Sequence, residues 1–199
     1  MPRKPRQYII APGSFYHVVA RGNNERRIFR SSRDYRKFLR ILEDTKKKFP
    51  FYLYSYNLIP NHYHFEIETQ DISISKIMHR INFLYAGYFH CRHKTSGHLF
   101  QGRFFSNLIS KESYFWEVAR YIDLNAVRAG VAKRPEDYKW GSYLVYFQEN
   151  HNENLIDRDR FLEYGGEDLE KSRLTYLKFV EEGMGKERAP KFPFNEKMI

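Results

Sequence analysis

A single cysteine, Cys91, stands in a chain of 199 residues. One thiol excludes an intrachain disulfide and argues against a thiolate zinc site. A reducing, intracellular compartment is the default for such a chain. No apolar run approaches the ~20 residues needed to span a bilayer, so no membrane partner is expected. The N-terminal Met-Pro-Arg-Lys-Pro-Arg is not followed by the apolar stretch of a secretory signal. Acidic residues are in the minority, 24 against 34 Lys and Arg, for a net charge of +10.

What is plentiful is aromatic: 16 Tyr, 17 Phe and 2 Trp. A basic chain rich in flat side chains suits a polyanion with bases to stack, that is, nucleic acid; the alternative is a soluble surface that is simply rich in Lys and Arg. The charge is unevenly spread. Residues 1–140 hold 25 Lys and Arg against 12 Asp and Glu, net +13, and residues 141–199 hold 9 against 12, net −3. Residues 1–7 read as a flexible basic arm. Arg3, Lys4 and Arg6 either follow a phosphate backbone or form a solvated tail.

The patterning predicts a strand over 14–20, a turn at Arg21-Gly22-Asn23-Asn24, and an amphipathic helix over 33–48. That helix has Tyr35, Phe38, Leu39 and Leu42 on one stripe and Arg33, Arg36, Lys37 and Arg40 off it. Strands follow over 51–58 and 62–68, joined by the short link Ile59-Pro60-Asn61. A second helix runs over about 72–92, a glycine-punctuated loop over 97–104, and a short strand over about 104–109. A third helix is expected from about Lys111. The order is that of a split β-α-β unit. The expected fold is therefore α+β, a ferredoxin-like antiparallel sheet with helices on its faces and an extra tyrosine-bearing helix. After Trp140 the charge reverses and helical pattern dominates over 157–164 and 168–183. This gives two expected units: a domain over 1–147 and a small α-helical C-terminal appendage over 148–199.

The chemistry concentrates at Pro60-Asn61-His62-Tyr63-His64-Phe65-Glu66-Ile67-Glu68. Residues two apart share a strand face, so His62 and His64 point one way and Tyr63, Phe65 and Ile67 the other. Two imidazoles on one face can grip one metal ion. Downstream, Tyr121 and Asn125 are four residues apart and share a helix face. A phenol and an amide oxygen beside two imidazoles would suit metal-assisted phosphoryl chemistry with a tyrosine nucleophile. Each feature has a plainer reading: surface or core histidines, a packing tyrosine, a capping asparagine. Mixed nitrogen and oxygen ligation suits Mg²⁺ or Mn²⁺, though imidazoles also suit Zn²⁺. Glu66 shares the histidine face, as a further ligand, as a partner of one, or, the preferred reading, as a solvent-facing charge.

These residues resemble the HUH single-tyrosine transposases, the IS-type and REP-associated family. The likeness is carried by Asn61-His62-Tyr63-His64, Tyr16-His17-Val18 with Arg21-Gly22, Gly97-His98-Leu99-Phe100-Gln101-Gly102-Arg103-Phe104, Tyr121-Ile122 through Asn125 to Val127-Arg128-Ala129-Gly130, and Trp140-Gly141-Ser142-Tyr143. It spans about residues 8–147, and the longer C-terminus resembles the family's longer variants. The resemblance implies that His62, His64 and Asn125 bind Mg²⁺ or Mn²⁺. It also implies that Tyr121 attacks hairpin-marked single-stranded DNA, leaving a 5′-phosphotyrosine and a free 3′-OH. Arg3, Lys4, Arg6, Arg103 and Arg128 are candidate DNA contacts, and His17 and His98 are read as structural or DNA-contacting. Expected partners are single-stranded or hairpin DNA and, in some relatives, a second copy as a homodimer; the expected location is cytoplasmic, at the nucleoid. Ala126 departs from the family's usual proline after the asparagine. The competing readings are a domesticated hairpin-binding protein without turnover and a phosphodiesterase in which Tyr121 only packs.

Overall fold

The computed structural model describes residues 13–109, 114–148 and 154–185. A four-stranded sheet carries the middle of the molecule. β1 (Phe15–Arg21) lies between β3 (His62–Thr69) and β4 (Phe105–Leu108), and β2 (Phe51–Ile59) closes the other edge. The sheet order β2-β3-β1-β4 and its antiparallel pairings make this the ferredoxin-like α+β fold that the element order predicts. β2 and β3 pair across a two-residue link, with Ile59 opposite His62.

Helices α1 (Ser32–Lys48) and α2 (Ile74–His93) cover one face of the sheet. α1 starts where Ser31 and Asp34 form a capping box, and Lys46, Lys47 and Lys48 sit favourably at its C-terminal end. Of its predicted stripe Tyr35, Phe38 and Leu42 are buried and Leu39 is half-buried, and its arginines point outward. Phe38 of α1 packs on Tyr63 and Phe65 of β3 and, edge-on, on Tyr85 of α2. Cys91 is exposed near the end of α2.

The other face is covered by α3 (Phe115–Asp123), α4 (Asn125–Arg128), α5 (Tyr143–Phe147), α6 (Arg158–Glu163) and α7 (Leu169–Glu181). A register shift in β2 between Leu53 and Ser55 lets consecutive residues serve this face, as a bulge does. Tyr54 meets the ring of Phe115, and the Ser55 hydroxyl donates to Asp123. The C-terminal helices join the same core. Phe161 packs on Tyr54, Phe115, Tyr146 and Tyr176. Asp157 accepts from the backbone of Leu53 and pairs with Lys46.

The tyrosine helix differs from expectation. Its predicted start at Lys111 lies outside the described residues, and it does not run unbroken to Asn125. α3 ends at Asp123, and α4 begins at Asn125. At this break the side chain of Asn57, on β2, donates to the carbonyls of Ile122 and Asp123. A strand side chain thus takes up carbonyls that a continuous helix would engage itself.

Candidate active site

Strand alternation puts His62, His64 and Glu66 on the face toward α3. The register sets His17, Val19 and Arg21 of β1 on one side of them, and Ser55, Asn57 and Ile59 of β2 on the other. His64 is completely buried. Its Nδ1 lies 3.0 Å from Nε2 of His17, and the two rings stack at 5.2 Å. The His62 ring stands edge-on to His64 at 5.0 Å. Nδ1 of His62 is 2.7 Å from Oδ1 of Asn61, and its Nε2 is 3.3 Å from Oδ1 of Asn125.

Tyr121 comes down on this cluster from α3. Its ring meets both His17 and His64 edge-on, each at 5.7 Å. The guanidinium of Arg128 lies over the same ring at 5.1 Å, and Nη1 of Arg128 donates to the Tyr121 carbonyl. Tyr121 and Asn125 keep 9% and 7% of their surface exposed. One chain therefore gathers the tyrosine, two strand histidines and the asparagine in one place.

Burial sets the electrostatics. It pushes His62 down to about 4, against a smaller upward pull from Asn125, and His17 down to about 3. His64 lies well below the ordinary histidine value, through burial first and then the neighbouring histidines and Arg128. At neutral pH all three rings are uncharged, each with one N–H and one lone pair.

Beneath the histidines lies an acidic layer. Glu66 is 0% exposed, so the expectation of a solvent-facing charge is corrected: α3 and the C-terminal helices close this side of the sheet. Among the described residues both its carboxylate oxygens lack a hydrogen-bond partner. Burial, then the charge of Asp123, pushes Glu66 well above the usual carboxylate range. Burial pushes Asp123 up to about 7, opposed by hydrogen bonds from Tyr176, Ser55 and Ser142. Sequence reading missed Asp123 and the pairing of His17 with His64. The signal available for His17 was its alternation with Val19 and Arg21 on the first strand.

The profile of the IS200-like transposases matches residues 12–125, more than half of the chain. The chain belongs to that family. A solved structure of a REP-associated tyrosine transposase bound to a REP hairpin aligns with 79% of this chain and 94% of its own, at 18% identity and a TM-score of 0.62. That is a likeness of fold. A Deinococcus radiodurans protein whose transposase assignment is provisional aligns over 56% of this chain and 89% of its own, at 14% identity and a TM-score of 0.41. No curated protein matches the sequence.

Of the DNA contacts expected for this transposase, Arg128 sits over Tyr121. Arg103 is exposed on the 97–104 loop, at a groove beside α2. Arg3, Lys4 and Arg6 lie outside the described residues. No helix among the described residues is long and apolar enough to cross a membrane.

The divalent ion that the family implies can be tested against these donors. A neutral His62 has one proton to give, and the shorter contact, to Asn61, takes it at Nδ1. Its Nε2 lone pair then faces the Asn125 carbonyl oxygen at 3.3 Å. Two lone pairs facing each other are satisfied by a cation: ligands ~2.1 Å from one ion at right angles lie ~3.0 Å apart. His64 Nε2 is buried and, among the described residues, has no hydrogen-bond partner. The residues fit the group.

Proposed function

We propose that this transposase cleaves and rejoins single-stranded, hairpin-marked DNA, with Tyr121 as nucleophile. The observation that carries this reading is the lodging of Tyr121 against His64 and His17 within one chain, beside the His62–Asn125 pair. His62, His64 and Asn125 hold Mg²⁺ or Mn²⁺, which when bound supplies positive charge to a scissile phosphate.

The Tyr121 oxygen forms a bond to phosphorus as the bond from phosphorus to the 3′ oxygen breaks. The leaving strand ends in a 3′-OH, and the 5′-phosphate stays on the tyrosine. The reverse reaction, with another 3′-OH, restores a phosphodiester without ATP, because the bond energy is kept in the tyrosyl ester. Arg128, over the Tyr121 ring, favours negative charge building on that side chain. His17, bonded to His64 Nδ1, fixes the ring so that Nε2 is the free nitrogen. In this reading the tyrosine, the histidines and the asparagine come from one chain, and a homodimer is not needed to assemble them. The expected setting is the cytoplasm, where such DNA is reached.

The test is incubation with end-labelled hairpin DNA and Mn²⁺. A covalent, protease-sensitive adduct that disappears in Tyr121→Phe is the expected result. Cleavage that survives Tyr121→Phe assigns the attack to water and makes the protein a phosphodiesterase. Hairpin binding with no cleavage makes it a binding module. His62→Ala abolishes cleavage and leaves hairpin binding largely intact.

A further inference from the structure

The tyrosine helix is gripped from two sides. Tyr121 and Asn125 turn toward the histidines. Trp116, Arg120 and Asp123 recur at helical spacing and meet α6 and α7 instead. The Trp116 ring stands against Tyr176 of α7 at 5.4 Å, and its Nε1 donates to the Phe161 carbonyl of α6. The Arg120 guanidinium lies 3.7 Å over the Phe179 ring, and its Nη1 donates to the Phe179 carbonyl. Two glycines bring bare backbone onto the same residues. A Cβ on Gly165, between α6 and α7, would stand 2.5 Å from the Trp116 indole. One on Gly183, just past α7, would stand 2.9 Å from the Arg120 side chain and 3.0 Å from that of Leu124.

Asp123 is where these contacts converge. Its carboxyl is buried and accepts from three separate elements. Oδ1 takes the hydroxyls of Ser55 on β2 at 3.0 Å and of Ser142, at the head of α5, at 3.3 Å. Oδ2 takes the Tyr176 hydroxyl of α7 at 2.6 Å. Asp123 is also the last residue of α3, two positions from Tyr121 and two from Asn125. The break between α3 and α4 therefore falls between the candidate nucleophile and the candidate metal ligand. Whatever holds Asp123 sets how those two side chains stand to one another.

We propose that Tyr176 is a positioning residue for this centre. Acting through Asp123, it fixes the break between α3 and α4, and with it the placement of the Tyr121 oxygen and the Asn125 amide. The inference rests on the transposase reading above and gives the C-terminal helices a part in that centre. A misplacement of about 1 Å at a reacting group can cost ~100-fold in rate, so a hydrogen bond remote from the phosphate has a large effect. A tyrosine that only filled the core would serve as well without its hydroxyl, since its ring contacts to Trp116, Tyr146 and Phe161 do not involve it.

The test compares two substitutions in the full chain. Tyr176→Phe removes the hydroxyl and keeps the ring. Tyr85→Phe is the matched control: it removes a buried hydroxyl that donates at the same 2.6 Å, to the Ile28 carbonyl on the opposite face of the sheet. The readouts are the urea midpoint, Mn²⁺ affinity by calorimetry without DNA, hairpin affinity, and the single-turnover rate of the Tyr121 adduct on prebound hairpin. Both variants are expected to lose similar stability and to keep hairpin affinity. Tyr176→Phe alone is expected to lower Mn²⁺ affinity about tenfold, the lower end of losing a ligand's supporting partner, and to slow the adduct at least as much. In an Asp123→Ala background, Tyr176→Phe is expected to slow the adduct no further, because the two act as one unit. The proposal is overturned if Tyr176→Phe leaves both quantities unchanged, if Tyr85→Phe lowers them equally, or if Tyr176→Phe keeps its full effect without the Asp123 carboxyl. If the unaltered protein forms no adduct, the transposase reading falls, and the Mn²⁺ affinities still decide whether Tyr176 places Asn125.

Discussion

Tyr63, Phe65 and Ile67 leave β3 on one side, and His62, His64 and Glu66 leave it on the other; both sets are largely buried, yet they meet different company. Toward α1 and α2 the neighbours are rings, and the hydroxyls have partners: buried Tyr63 on Asn82, buried Tyr85 on the Ile28 carbonyl, half-buried Tyr88 on Asp34. Toward α3 the neighbours are imidazoles and carboxyls, and among the described residues His64 Nε2 and both Glu66 oxygens are left unmatched. An unmatched buried polar group costs ~1–3 kcal/mol. A fold that leaves several unmatched on the α3 face and almost none on the α1/α2 face draws its stability from the α1/α2 face, and the α3 face is the one proposed for chemistry.

The sharpest way to break that contrast is Phe38→Ala. Phe38 is fully buried between Tyr63, Phe65 and Tyr85. Its loss is expected to destabilise by ~3–5 kcal/mol in urea unfolding. A cost below 1 kcal/mol would show that the α1/α2 face is not the principal source of stability.

Next comes His17→Phe, which keeps a ring and removes the nitrogen facing His64. Mn²⁺ affinity, read from calorimetry, is expected to fall ~10–100-fold, the usual cost of losing a ligand's orienting partner. The same variant should flatten the acid response. His17 titrates at about 3 in the fold and near 6.5 when unfolded. The unfolded chain therefore binds the proton first, and stability drains as pH falls from ~6.5 toward about 3. An unchanged acid slope would remove His17 from the buried trio.

Glu66→Gln tests the acidic layer with the opposite sign. A carboxyl held well above the usual carboxylate range by burial keeps its proton in the fold while the unfolded chain releases it above ~4.3, so stability falls as pH rises. The amide is expected to stabilise at pH 8 and to change little at pH 4, read from urea unfolding at the two values. Equal gains at both values would mean that packing, not charge, is the cause. The smallest effect belongs to Gly87→Ala on α2, an expected gain of ~0.5–1 kcal/mol in thermal unfolding, with no loss elsewhere because the new methyl meets open space.

The parts of this molecule that follow from short-range periodicity were legible in the chain itself. The alternation of His62 and His64 and the stripe of Tyr35, Phe38 and Leu42 each depend on neighbours only. Contacts set by distant segments were not legible. Glu66 is buried because helices far downstream, as late as α7 (Leu169–Glu181), fold over it. The step between Asp123 and Asn125 coincides with an asparagine 65 residues upstream. His17 finds His64 only through the diagonal of a strand pairing. The basic arm with Arg3, Lys4 and Arg6 falls outside the described residues, and its role stays a proposal.

The chain's one sulfhydryl offers a practical consequence. Cys91 is solvent-accessible on α2, one residue from the groove-lining His90, and there is no second thiol in the sequence to compete for a reagent. A maleimide-linked dye placed there would report on events at that groove from its rim, with every catalytic candidate left in its native form.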